Sequence, residues 1–179
     1  MSLDPPRILE IEAQAIALVH VTVPRARIRE AMGPGREELM AAVTAQEAGP
    51  TGPWFTHHLK MDPVVFDFEI CVPVSRRIAP VGRVKPAQLR AMRAVRTIYR
   101  GGYEGLGDAW GEFLHWLGQQ KLQPRRDLLE RYLVGPETSD DPADWQTELT
   151  KPLLARATRA APRKARGKAP AEAARRRPR

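Results

Sequence analysis

A chain of 179 residues fits one domain of ordinary size, and 42% apolar content with 6% aromatics supplies a real but modest core. The formal net charge of +8 is uneven: from Ala155 onward ten Lys/Arg face a single acid, Glu172, leaving residues 1–154 close to neutral. The lone Cys71 excludes an intrachain disulfide, no apolar run reaches the roughly 18 residues of a membrane span, and Met1 to Pro6 lacks a signal-peptide pattern, so a soluble cytoplasmic protein is expected.

Ile8 to Val23 is dense in Ile, Leu, Val and Ala and predicts one strand or a bulged pair. Ala26 to Glu47 reads as helical around Ile28, Met32, Leu39, Met40 and Val43. Gly33-Pro34-Gly35 is expected to break it, so that the main helix starts near Arg36. Gly49 to Pro53 is a loop. Trp54 to Lys60 and Val64 to Val74 predict two strands. In the second, Val64, Phe66, Phe68, Ile70 and Val72 alternate with Val65, Asp67, Glu69 and Cys71, the period of a strand with one buried face.

The pattern then recurs. Leu89 to Tyr99 is extended, and Gly105 to Gln120 is a helix with Leu106, Trp110, Phe113, Leu114 and Leu117 on one side. Asp127 to Val134 is a strand, Gly135 to Pro142 a turn, and Asp144 to Leu153 a last strand. Strand–helix–strand–strand therefore occurs twice, with Glu69-Ile70-Cys71-Val72-Pro73 aligning to Glu148-Leu149-Thr150-Lys151-Pro152 at an offset of 79. The expected fold is α+β: duplicated units forming one pseudo-symmetric antiparallel sheet, helices on one face and a ligand cleft on the other. From Ala155 the composition turns to Ala, Arg, Lys and Pro, which cannot bury enough surface to order itself. The expected organisation is a domain over 1–154 and a disordered basic tail over 155–179.

Several of these segments resemble the GyrI-like small-molecule-binding family, the effector-binding domain of multidrug-sensing and AraC-type regulators. Gly101-Gly102-Tyr103-Glu104-Gly105-Leu106 resembles the family's Gly-Pro-Tyr-x-x-Leu entry into its second helix, where Trp110 and Trp116-Leu117 match the aromatic pattern. Glu130-Arg131-Tyr132-Leu133 resembles its Glu-x-Tyr-Leu strand, and Pro136 to Leu149 follows its hairpin and last strand. Asp67 to Val74 resembles the matching strand of the first half. The chain departs from the pattern at Tyr99, where a His is common, and at Gly102, where a Pro is.

The resemblance implies a cleft between two repeated units with a Glu among aromatics that pairs with lipophilic cations. Some relatives protect DNA gyrase from toxins, and others hydrolyse cyclopropane-bearing DNA alkylators. Glu130 is the candidate for that acid. It shares a strand face with Leu128, Tyr132 and Val134, and a carboxylate in apolar surroundings is costly unless paired. Burial is expected to raise its pKa, which would also suit a general base. The competing reading is an edge-strand Glu paired with Arg125, Arg126 or Arg131.

Tyr132 and Tyr103 are expected to line the cleft, each offering a flat face and a hydroxyl; as catalytic groups they would accompany Glu130. Tyr99, Trp54 and Phe55 (a lid beside the Gly/Pro loop), His57, His58, Trp116 and Glu148 complete the candidate ligand-binding set. Trp110 reads as core and Trp145 as closing the final hairpin. His57 and His58 are neighbours on a strand and point to opposite faces, so no metal site is expected. No phosphate-binding or dinucleotide motif is present, and no cofactor is expected.

The leading expectation is a stand-alone module that binds a hydrophobic, cationic small molecule. Its rival is a hydrolase using the same cleft. The partners implied are that small molecule, DNA gyrase through the resemblance, and nucleic acid through the charge of the 155–179 segment, against the alternative of a solvated tail with no partner.

Overall fold

Alternating apolar residues build the sheet. Phe68, Ile70 and Val72 are buried on one face of their strand, while Asp67 and Glu69 turn to the other. The computed structural model describes residues 2–155; the Arg- and Lys-rich stretch at 156–179 lies outside the described residues, and with it the expected tail and any nucleic-acid contact.

In chain order the elements are β1 (Ser2–Leu3), β2 (Arg7–Ile11), β3 (Gln14–Pro24), α1 (Ile28–Ala45), β4 (Phe55–Met61) and β5 (Val65–Pro73). They continue with β6 (Val84–Leu89), β7 (Met92–Arg100), α2 (Leu106–Gln119), β8 (Leu128–Val134) and β9 (Gln146–Pro152). The strands form one sheet in the order β1-β7-β9-β8-β4-β5-β3-β6, with β2 also on β7, and every pairing is antiparallel. The α+β class and the duplication stand. The first repeat supplies β4-β5-β3 and the second β8-β9-β7, and the seam between them is the β4–β8 pair.

Each repeat also sends a strand to its counterpart. β2, just before β3, pairs with β7 of the second repeat, whereas β6, just before β7, pairs with β3 of the first. The link between β2 and β3 is Glu12-Ala13, and that between β6 and β7 is Arg90-Ala91. Six strand spacings of a flat sheet would be about 29 Å, while such a link spans at most about 11 Å. The sheet must therefore curl until its edges approach. Its concave face closes over a small core of Ile16, Leu18, Phe55, Cys71, Leu89 and Leu129.

Both helices pack on the other face. Leu39 and Val43 of α1 lie against Val19, Val21, Ile70 and Val72. Ala109, Trp110, Phe113 and Leu117 of α2 lie against Val95, Tyr99, Leu128 and Leu149. The middle strands β4 and β8 run between these two cores. No helix among the described residues is long and apolar enough to cross a membrane.

Besides the short β1, two elements differ from the sequence reading. α1 is continuous through Gly33-Pro34-Gly35 instead of starting near Arg36. Pro34 is exposed, so the carbonyl of Glu30 that loses its partner is on the wet side of the helix, and Gly33 carries no Cβ to meet the proline ring. Gly35 sits on the buried side, where a Cβ would lie 2.5 Å from Ile70 Cδ1. The second difference is β6, for which the sequence showed no alternation. It is an edge strand and carries Pro86, which an edge tolerates.

Gly35→Val should lower stability by about 1–3 kcal/mol through overpacking. Gly111→Ala, on the exposed side of α2 with nothing near its missing Cβ, should raise it by about 1 kcal/mol. Thermal unfolding of the two variants checks both signs.

Candidate functional site

Strand parity sorts the candidate residues. On β8, Leu128, Glu130 and Tyr132 face the helices, and Leu129 and Arg131 face the concave side. On β4, Thr56 and His58 face the helices, while Phe55 and His57 face away. Both strands bulge just past these residues, β4 between His58 and Lys60 and β8 between Tyr132 and Val134. Bulges at such places re-aim side chains.

Glu130 is the centre of the arrangement. Trp110 of α2 donates from Nε1 to its Oε1 at 2.7 Å, and Tyr132 donates from Oη to its Oε2 at 3.0 Å. His58 Nε2 stands 3.7 Å from the same Oε2. Thr56 Oγ1, fully buried, lies 3.2 Å from both His58 Nε2 and Tyr132 Oη. The Glu130 side chain is 13% exposed, and among the described residues no Lys or Arg pairs with it. Burial pushes its carboxyl up. The His58 ring, Trp110 and Tyr132 outweigh that and hold it below the usual carboxylate range. This reverses the expected direction: the hydrogen bond and charge of the His58 ring, with the indole and phenol donors, stabilise the charge that burial penalises.

Aromatic rings wall the carboxylate. Trp54 stacks on Tyr132 with centroids 4.1 Å apart, and Tyr103 meets Tyr132 edge-on at 5.6 Å. Trp145 packs on Tyr103 at 4.6 Å while its Nε1 closes the last hairpin on Ser139 O. Phe66 and Phe68 flank His58. Gly135 permits this closeness, since a Cβ there would stand 2.6 Å from Tyr103 Oη. The Arg36 guanidinium of α1 lies 5.4 Å from the Trp54 ring centroid. Three buried polar atoms around this cluster have no hydrogen-bond partner: His58 Nδ1, Tyr103 Oη and Arg36 Nε. Burial, with the nearby Glu137 carboxylate, pushes the Tyr103 hydroxyl up to about 12, so it stays a donor.

The structure thus brings Glu130, Tyr132, Tyr103, Trp54 and His58 together, and it adds Trp110, Thr56 and Arg36, which sequence reasoning did not place there. The cluster is on the helix side, between the two cores, and not on the opposite face where the cleft was expected. The opposite, concave face carries the small apolar core and the ion pairs of Glu148 and His57. Other candidates are elsewhere. Phe55 is in the concave core, and Tyr99 is buried in the second core with its hydroxyl on Gly102 O. Trp116 packs at the margin of that second core.

Glu148 lies on the concave side between Arg96 at 3.2 Å and Arg131 at 3.6 Å. This also removes Arg131 as a partner for Glu130. Arg125 pairs with Asp127, not with Glu130. His57 bridges Glu69 at 3.1 Å and Asp127 at 2.9 Å. The two best-formed surface depressions are both away from Glu130. One of about 380 Å³ is lined by His57, Asp127 and Arg126, and one of about 310 Å³ by Gln14, Arg96, Arg131 and Glu148. Over Glu130 the aromatic side chains pack closely, leaving its side chain 13% exposed.

The profile of the GyrI-like small molecule binding domain matches residues 4–154. The chain belongs to the GyrI-like family. A search of curated proteins found no match. Among solved structures, this GyrI-like chain is similar to the C-terminal domain of EcmrR, at 21% identity and TM-score 0.71, over 84% of this chain and 97% of that one. It covers 57% of the longer EcmrR chain seen in a complex with DNA, at 22% identity and the same TM-score. It is similar to SAV2435 bound to tetraphenylphosphonium, at 9% identity and TM-score 0.59, over 84% and 94% of the two chains. A hydrolase from Listeria innocua matches at 14% identity and TM-score 0.60, over 83% and 91%. At these identities the likeness is one of fold.

The GyrI-like domain carries its pH response on the concave side. Burial depresses the His57 ring, but hydrogen bonds and charge from Asp127 and Glu69 prevail and raise it to about 9 from an ordinary 6.5. The folded state therefore holds the proton more tightly. The stabilisation is full below about pH 6.5 and is lost as pH rises through about 9, amounting to at most about 3 kcal/mol. Urea unfolding from pH 6 to 10 should show this fall in the wild type and a flatter profile in His57→Gln.

Proposed function

We propose that this GyrI-like domain captures a lipophilic organic cation, with Glu130 as counter-ion and Trp54, Tyr132 and Tyr103 as aromatic walls. The observation that carries the reading is the pairing of Glu130. Its carboxylate is ionised and enclosed; its close donors are Trp110 and Tyr132, the His58 ring stands 3.7 Å away, and among the described residues no Lys or Arg pairs with it. A carboxylate held by two neutral donors and a single imidazole, with no guanidinium or ammonium beside it, favours a partner that arrives with its own apolar body. Aromatic faces add attraction for such a cation. The complex of SAV2435 with tetraphenylphosphonium, a cation of this kind, supports the reading by analogy.

A hydrolase reading uses the same residues, with Glu130 activating water and the unpartnered Tyr103 hydroxyl donating to a leaving group. The similarity to the Listeria innocua hydrolase favours it. The pKa of Glu130 speaks against it, since a general base works best when poised near neutral pH and this carboxyl is held low. A covalently changed product detected by mass spectrometry would decide for hydrolysis.

Tetraphenylphosphonium titrated against intrinsic Trp fluorescence tests the counter-ion. Glu130→Gln should weaken binding about 30-fold or more, the effect of removing one partner of an enclosed charge pair. Equal affinity in wild type and Glu130→Gln would overturn the assignment.

A further inference from the structure

The aromatic cluster already holds a cation of its own. Arg36, on the turn of α1 that follows Gly35, places its guanidinium over Trp54. Trp54 stacks on Tyr132, and Tyr132 donates to Glu130, so Arg36, two rings and the carboxylate form one contiguous stack. Arg36 Nη1 also pairs with Glu137 Oε1 at 2.8 Å. Arg36 belongs to the first repeat and Glu137 to the β8–β9 turn of the second, so the pair ties the two halves together across the seam. Glu137 in turn acts on Tyr103, raising its hydroxyl.

Resting on the cation-binding reading, we infer that Arg36 is a resident competitor that determines cation specificity: an incoming organic cation must displace its guanidinium from Trp54 and part it from Glu137. The arrangement suits displacement. Both partners are 34% exposed, and an ion pair that open is weak and salt-screened. The buried Nε makes no hydrogen bond that would resist the movement. The departing side chain is long enough to swing to water while its stem still covers apolar surface.

Displacement has a second effect on specificity. Once Arg36 leaves, Glu137 has lost its partner beside Tyr103 and becomes a second acid at the rim. Ligands carrying a second positive or hydrogen-donating group can restore that pairing, and simple monocations cannot. Arg36 thus selects against weakly bound monovalent cations.

The test is tetraphenylphosphonium binding by Trp fluorescence to wild type, Arg36→Met and Arg36→Gln, with neutral triphenylphosphine oxide as comparison and thermal melts as a folding control. Both variants should bind the cation about five- to ten-fold more tightly, the scale of one lost cation–ring competitor. The neutral compound should gain less. If wild type binds the cation and both folded variants bind it equally or more weakly, Arg36 is not a competitor, although the Glu130 reading survives. Equal gains for the cation and the neutral compound would show steric cover and also overturn the inference. If none of the three proteins binds the cation, the cation-binding reading itself fails and takes this inference with it.

Discussion

The two-residue links Glu12-Ala13 and Arg90-Ala91 constrain everything else in this domain. By joining strands that sit near opposite edges, they force the sheet to curl. A curled sheet has a narrow inner face, and here a handful of apolar side chains with the Glu148–Arg96–Arg131 group lines it. The outer face is wide and needs two helices to cover it. They pack over the flanks and leave the seam strands β4 and β8 to be roofed by aromatic side chains. The position of the carboxylate site is thus a consequence of sheet curvature.

Within that seam, the decisive choice is how Glu130 is satisfied. Burial alone would have neutralised it, giving an inert protonated acid. The His58 ring supplies a hydrogen bond and charge, and Trp110 from the helix above and Tyr132 from the same strand face add neutral hydrogen bonds. The concave side surrounds its charges more fully. There Glu148 lies between two arginines and His57 between two carboxylates, so every charge has a counterpart. Acids of similar origin in the two faces therefore differ in what they can attract. On the concave side His57 and Glu148 each lie between two opposite charges, while Glu130 has one imidazole at 3.7 Å.

Much of this was legible from sequence because it depended on periodicity. The alternation around Phe66 to Val72 and the repeated strand–helix–strand–strand order gave the class of fold and the duplication. Side-chain parity put Glu130 and Tyr132 on one face and separated His57 from His58. What parity could not give was which face the helices would cover, because that depends on the curl set by non-local pairing. The side of the sheet on which the Glu130 cluster sits was therefore not legible from parity alone. Trp110 was read as core because its helical spacing is that of a core residue; it is buried, yet its indole N–H still serves the site. Arg36 carried no local signal at all, since its partners Trp54 and Glu137 are distant in sequence. β6 was missed because an edge strand with one face shared among polar residues shows no alternation.

The reciprocal exchange of β2 and β6 has a consequence for how the molecule holds together. Each repeat completes its sheet with a strand borrowed from the other, as when Ile8 pairs with Val95 and Gln14 with Leu89. Neither half can reach its final form while the other is absent, so the duplicated halves are not separable modules. Their contacts span most of the chain, a topology that orders late and all at once. Anything that grips the seam between β4 and β8 therefore acts on both halves together, and a small molecule seated there would be felt as stiffness across the entire sheet.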